Sequence, residues 1–461
     1  MRHKKSFSVM MSFALLTMAH SARAEGDAAL GAQVDQRLRG DRTGACLAAA
    51  VIDHDRVART FRCAADEDLG RIGPHTAFEV GSVTKTMTAA LLALRIDCGE
   101  ASIDDPLARF LPPETTVPSF EGAPILLRHV VTHTSGLPPI PARFAPRDPN
   151  DPYADLTEDA LLTSLGDVRL DVAPGTRFAY SNFAFMVLSY ALARDAKTDY
   201  PALLTRALFA PLGMKHAYVS VPPKGIRAAQ GHLPTGAPTP PWTFPPNLAG
   251  VGGVRATLDD MVAYAQGQLG QVAGDDAIGP ALRRTQARLS NAVPIGMSWM
   301  LMDVDGRTVH AHEGGTGGFS SLVGFDRARQ RGVVILSDTS WNALGGLGTL
   351  GMHLLDSRFA PGAPRTVRTP DPALLAALAG TYRLGSELRA ELRIEDGALI
   401  IQAEGQPPFA LAYDSEGDFY PLAFDALLRP TKTDAGYVLQ WFQGGGMITA
   451  TRITPEAAPP R

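Results

Sequence analysis

Cysteine, lysine and long apolar runs are all scarce in this chain of 461 residues, and each scarcity excludes something. Three cysteines are too few for a disulfide-dense scaffold or a cysteine-rich zinc module, and the odd number leaves at least one thiol over. Aromatic residues make up only 7% and charged residues 20%, against 45% hydrophobic. That balance excludes disorder, collagen and coiled coil. There is no basic tract; the formal charge is −4, and since residues 1–24 hold four cations and no acid, the remainder carries −8. A mildly acidic chain of this kind is a poor match for nucleic acid or an anionic membrane surface. Beyond the N-terminus no run approaches the roughly 18 apolar residues of a spanning helix, so no membrane span is expected.

What the N-terminus does contain is a basic start (Arg2 to Lys5), an apolar run (Val9 to Met18) and small residues at Ala22-Arg23-Ala24. Together they read as an export signal over residues 1–24, which places the protein in the periplasm or outside the cell. An oxidising compartment permits disulfides. Cys46 to Ile52 and Val57 to Cys63 alternate in polarity around the turn signal Asp53-His54-Asp55-Arg56. A hairpin centred there sets Asp53 opposite Arg56 and, seven steps back, Cys46 opposite Cys63, close enough for a bridge. Cys98 is then unpaired and expected to be a small buried apolar residue.

Helical spacing is expected over Ala28 to Leu38, Phe78 to Gly99, Asn182 to Arg194, Leu258 to Gln268, Ala281 to Ser290 and Trp341 to Leu355. Strands are expected at the hairpin and at Ser298 to Val304, Phe319 to Phe325 and Gly332 to Ser337. Two proline-rich stretches, Gly136 to Asp155 and Val221 to Pro246, are too long for plain connectors. The order of elements suits an α/β (α+β) sandwich, an antiparallel sheet flanked by helices, over residues 25–358. Residues 359–372 read as a proline-rich linker. Over 373–461 eight short strand-like runs suggest a small all-β barrel or sandwich.

The chemistry concentrates in three segments. In Phe78-Glu79-Val80-Gly81-Ser82-Val83-Thr84-Lys85, residues three apart on a helix share a face, so Ser82 and Lys85 can meet. Serine is a weak nucleophile until a neighbour takes its proton, and burial lowers a lysine pKa enough for that task. With only five lysines after residue 24, chance gives roughly a quarter of such a match. The bland reading is a helix cap and a surface lysine; apolar Val83, Met87 and Ala89 count against exposure. In Tyr180-Ser181-Asn182, a phenol beside an ammonium ionises more easily and can move a proton, and an asparagine amide can hold a carbonyl. The competing reading is a core tyrosine with Asn182 as a helix N-cap. The third segment, His310-Ala311-His312-Glu313-Gly314-Gly315-Thr316-Gly317-Gly318, is glycine-rich, so its backbone can approach a ligand and offer N–H groups. It lacks the context of a nucleotide loop. His310 and His312 share a strand face, but no third ligand is in sight; no metal or cofactor is expected.

These segments together resemble the penicillin-recognising serine hydrolases, specifically the class C β-lactamase-like group with its D-alanyl-D-alanine carboxypeptidases, aminopeptidases and esterases. The resemblance runs from about Asp35 to Leu355 and includes Thr132-His133-Thr134-Ser135-Gly136-Leu137, Pro174-Gly175, Pro211-Leu212-Gly213-Met214, Gly252-Gly253 and Asp260-Met261. It implies a β-lactamase-like sandwich with Ser82 as acylated nucleophile, Lys85 and Tyr180 sharing the proton transfers, and Asn182 binding the acyl amide. It also implies an oxyanion site on the N–H groups of Ser82 and Gly315. His312-Glu313-Gly314 stands where β-lactamases of the group carry K-T-G, whose lysine helps hold a substrate carboxylate. An unperturbed His312 titrates near pH 6.5, so carboxylate recognition is expected to weaken from about pH 6 to 8. His133 reads as a structural loop residue. The C-terminal region resembles the lipocalin-like barrel attached to some members. The expected function is a secreted serine hydrolase acting on D-alanyl peptides of cell-wall fragments or on β-lactams, small molecules or peptides being its only implied partners. An esterase and a non-catalytic penicillin sensor are the rivals.

Overall fold

The computed structural model describes residues 27–453 apart from 42, 272–277, 291–292, 341–345, 363–366, 385–387, 405–407, 422–425, 435 and 444–445. The export-signal reading over 1–24 and the start of the helix expected from Trp341 lie outside the described residues.

The chain begins with helix α1 (27–38) and the hairpin β1 (Cys46–Asp53) and β2 (Arg56–Cys63). Strand β3 (Thr76–Glu79) leads to helix α2 (Thr84–Asp97), and helix α3 (Asn182–Asp195) follows the first proline-rich stretch. Strand β4 (Arg255–Ala256) and helices α4 (Leu258–Leu269) and α5 (Ile278–Gln286) precede four strands. These are β5 (Met300–Val304), β6 (Arg307–Gly315), β7 (Ser320–Asp326) and β8 (Arg331–Ser337), closed by helix α6 (Gly348–Leu355).

One antiparallel sheet, in the order β5-β6-β7-β8-β1-β2, forms the middle layer. Its strands β7, β8 and β1 are buried on both faces, so the strands expected at Phe319 to Phe325 and Gly332 to Ser337 do not alternate cleanly between apolar and polar residues. On one face Leu47, Ala49, Val333 and Ile335 pack against Leu30 and Val34 of α1 and Leu350 and Leu354 of α6. On the other face Ala48, Ala50, Val334 and Leu336 join the large core built with α2, α3 and α4. The result is a sandwich of three layers, with helices on both faces of the sheet. Helix α2 is buried continuously from Thr84 to Ala93, so it is a core helix rather than an amphipathic surface one.

The hairpin ladder pairs Asp53 with Arg56 and Cys46 with Cys63, and the two sulfurs are bonded across a Cα separation of 3.9 Å. With a sequence separation of 17, the bridge should contribute about 3 kcal/mol by restricting the unfolded chain. The double Cys46→Ser, Cys63→Ser variant is expected to melt several degrees lower in a thermal scan, and an unchanged midpoint would show that the bridge restricts nothing. Cys98 is free but exposed, contrary to expectation. The buried stretch of α2 ends at Ala93, and Cys98 caps the last turn beyond it.

After α6 comes a separate unit. Strand β9 (Val367–Arg368), within the stretch read as a linker, pairs with β13 (Phe409–Asp414), and helix α7 (Pro372–Leu378) contributes Leu375 and Leu378 to the unit's own core. Eight strands close into an antiparallel barrel: β10 (Gly380–Leu384), β11 (Leu388–Glu395), β12 (Ala398–Ala403), β13, β14 (Phe419–Pro421), β15 (Leu427–Thr433), β16 (Gly436–Gln443) and β17 (Gly446–Arg452). The ring is sealed by β10 pairing with β17 and β13 with β14. Closure removes exposed sheet edges. Leu392, Leu399, Leu411, Phe419 and Leu439 fill the interior. Because this core shares no residue with the sandwich core, a chain ending at Arg358 is expected to fold and still be acylated by a small ester. A folded but inert truncation would show that the barrel completes the site.

Candidate active site

Ser82 is set at the end of β3 by backbone alone. Val80 N–H donates to Val254 O at 3.0 Å, and a single 3-10 turn, Gly81–Val83, joins the strand to α2. Gly81 has φ +48°, a conformation costly to a residue with a Cβ. Strand β6 comes so near that a Cβ on Gly81 would lie 2.6 Å from Gly315 N. A Cβ on Gly314 would lie 2.1 Å from Val80 O and 3.0 Å from Ser82 N. The glycines therefore permit the close approach of β6 to the turn that carries Ser82. Gly314 and Gly315 continue the ladder of β6, opposite Ser321 and Ser320.

One turn into the helical segment, Lys85 is fully buried. Its Nζ lies 2.9 Å from Ser82 Oγ and 2.7 Å from Val251 O. Burial pulls its pKa well below the ordinary lysine value, favouring the neutral amine. A neutral amine donates one N–H to the carbonyl and turns its lone pair to the serine hydroxyl, the arrangement a general base requires.

Tyr180 lies across the same space, its ring centroid 5.0 Å from Lys85 Nζ and its hydroxyl within hydrogen-bonding reach of Ser82. Tyr180 keeps 37% of its surface exposed. Burial raises the phenol pKa, outweighing the Ser82 hydrogen bond, so the easy ionisation expected beside an ammonium does not occur. The burial that raises it favours the protonated phenol, the form that can donate a proton.

His133 is buried with φ +53° and stacks on Tyr180 at 4.2 Å. Its Nδ1 accepts from Ser181 N–H at 3.1 Å, and burial, the largest cause, lowers its pKa well below the ordinary histidine value. It thus supports Tyr180 from behind. Ser181, not Asn182, caps α3, accepting from Ala184 N–H at 3.0 Å. This frees the Asn182 amide, whose Nδ2 donates to the Tyr153 hydroxyl at 3.1 Å while its Oδ1 has no partner among the described residues.

His312, on the face of β6 that Gly314 shares, is buried; its Nδ1 is 2.6 Å from Glu313 O. Burial first, then Lys85, push its pKa down to about 4. The ring is neutral across pH 6 to 8, so the expected titration near 6.5 does not occur in that range. His310 faces Gln286 O at 3.2 Å and stacks on Phe325 at 4.7 Å. No group of three residues suited to a metal ion is found among the described residues.

Sequence reading missed the aromatic wall. Tyr153, from the first proline-rich stretch, packs on Trp242 at 5.4 Å and Phe244 at 4.9 Å from the second. Asp151 accepts from Thr243 N–H at 2.6 Å, and buried Glu79 from Trp242 N–H at 3.0 Å. The only sequence signal was the length and proline content of both stretches.

An amine and a phenol converging on one serine, where a glycine strand packs on its turn, define a serine hydrolase of the acyl-transfer kind. The Beta-lactamase family model matches residues 32–343, and the chain belongs to that family. The D-alanyl-D-alanine-carboxypeptidase/endopeptidase AmpH of Escherichia coli K12 is 30% identical over 279 residues, covering 58% of this chain and 69% of that protein. A β-lactamase/D-alanine carboxypeptidase from Yersinia pestis superposes with a TM-score of 0.55 at 24% identity, over 68% of this chain and 93% of that one. SurE, solved with D-Leu, superposes with a TM-score of 0.59 at 21% identity over 93% of this chain and all of its own, so the likeness in fold extends into the barrel region. No helix among the described residues is long and apolar enough to cross a membrane.

Proposed function

We propose that Ser82 is the nucleophile of a two-step acyl transfer acting on D-alanyl peptides of cell-wall fragments, with β-lactams acylating the same serine. The carrying observation is the fully buried Lys85 whose Nζ is 2.9 Å from Ser82 Oγ. Lys85 takes the hydroxyl proton as Oγ bonds to the substrate carbonyl carbon, and the resulting oxyanion rests on the N–H groups of Ser82 and Gly315. As the carbonyl-to-leaving-group bond breaks, Tyr180 gives its proton to the departing nitrogen or oxygen and recovers one from Lys85. Water then repeats the sequence on the acyl-enzyme. Asn182 holds the acyl amide, and Tyr153 orients Asn182. The D-alanyl substrate of the AmpH relative supports the substrate class. The signal-like residues 1–24 and the Cys46–Cys63 bridge support export to the periplasm or beyond.

Incubation with a fluorescent penicillin, a D-alanyl peptide and p-nitrophenyl acetate tests the reading. Penicillin labelling and peptide turnover are expected; ester turnover without either would favour an esterase, and labelling without any turnover a sensor.

A further inference from the structure

We propose that the cavity where the helical segment 200–212 meets the returning chain at 214–223 binds a free, single-chain amphiphilic anion, an apolar chain ending in one carboxylate. The cavity shares no residue with the Ser82 centre, and its occupancy does not depend on whether that serine is acylated.

Charge is unevenly spread along the sequence. Residues 197–227 hold five cations, Lys197, Arg206, Lys215, Lys224 and Arg227, against the single acid Asp199, in a chain whose residues after 24 sum to −8. Asp199 is occupied as a helix cap, accepting from Ala202 N–H at 2.7 Å. Arginines elsewhere, such as Arg59, Arg95 and Arg284, are paired with carboxylates. Arg206 and Lys215 are exposed, and neither side chain has an ion pair or a hydrogen bond among the described residues.

Both of these side chains border a cavity of about 940 Å³. Its buried lining is largely apolar, with Phe209, Met214, Ala217 and Val219. Such a surface offers nothing to a small hydrated anion, and two unpaired cations offer nothing to a neutral hydrocarbon. A molecule with both parts gains from both, burying its chain and giving its charge a guanidinium and an ammonium. Tyr218 lines the same cavity at 7% exposure, and its hydroxyl has no partner among the described residues, an unusual state for a buried polar group that points to a group taken up from outside. The volume lies within the roughly 300 to 1,000 Å³ of small-molecule sites, which suits one chain rather than a two-chain lipid.

The test titrates decanoate, below its micellar concentration, into the full-length protein by calorimetry, beside decanol and acetate. Decanoate should saturate one site, with decanol and acetate each at least ~10-fold weaker. Arg206→Gln combined with Lys215→Gln should weaken decanoate at least ~10-fold without lowering the melting temperature. Ala210→Trp, on the exposed side of the cavity, should fill the space and abolish binding. Absence of saturation, decanol binding as tightly as decanoate, or unaltered affinity in either variant overturns the proposal. So does binding to phosphatidylglycerol vesicles without binding of free decanoate, which would make this face a lipid-surface contact. Turnover of p-nitrophenyl acetate is read separately and decides only the chemistry at Ser82.

Discussion

Replacing Lys85 by alanine should slow acylation about 10²- to 10⁴-fold, the usual range for a lost general base, and replacing Ser82 by alanine should abolish it. The size follows from the surroundings. Lys85 is completely buried, so no water stands in for the amine, and the methyl of alanine leaves Ser82 Oγ without its 2.9 Å partner. The pH profile has a definite sign. Burial lowers the Lys85 pKa, and the working form is the free amine; kcat/KM should therefore rise with pH through that lowered value and be lost below it. Lys85→Arg should give no rescue, since a guanidinium stays charged. Steady-state rates with p-nitrophenyl acetate check all three variants. Near-normal turnover in Lys85→Ala would remove the lysine from the chemistry.

The second large effect is expected at Gly314, where no titratable group is touched. An added Cβ would stand 2.1 Å from Val80 O and 3.0 Å from Ser82 N. Both are backbone atoms, so neither swings aside, and β6 must retreat from the Gly81–Val83 turn. A displacement near 1 Å at a catalytic centre is worth about 10²-fold, and the loss falls on kcat because the oxyanion donors serve the transition state. Gly314→Ala should therefore lower kcat about 10²-fold or more with a smaller change in KM. Gly306→Ala is the control. Its φ is +75°, but a Cβ there meets nothing within 4 Å, so the cost is backbone strain in a turn remote from Ser82. A Gly314→Ala enzyme with kcat within a few-fold of wild type would show that this approach does not build the oxyanion site.

Much of this was legible in the sequence because it is local. The Asp53-His54-Asp55-Arg56 turn sets the hairpin register, and the register carries Cys46 to Cys63. Ser82 and Lys85 meet because they are three residues apart at a helix start, and Tyr180 and Asn182 are placed together by the cap at Ser181. What was not legible depends on burial by distant segments. The altered titration of Tyr180 and His312 arises from burial among segments distant in sequence, which no spacing reveals. Tyr153 and Trp242 meet from stretches some ninety positions apart, in irregular backbone without a period. His133 looked structural, and its stacking on Tyr180 places that support directly behind the proton donor. Cys98 went the other way, since the last turn of α2 runs past the core that buries the rest.

The central claim, a covalent acyl group on Ser82, is tested most directly by mass spectrometry of the wild-type protein quenched in acid during p-nitrophenyl acetate turnover. The intact mass should rise by one acetyl group, peptide mapping should place it on Ser82, and the adduct should be absent from Ser82→Ala. An acetyl group on another residue, or full turnover with an unmodified Ser82, would contradict the account.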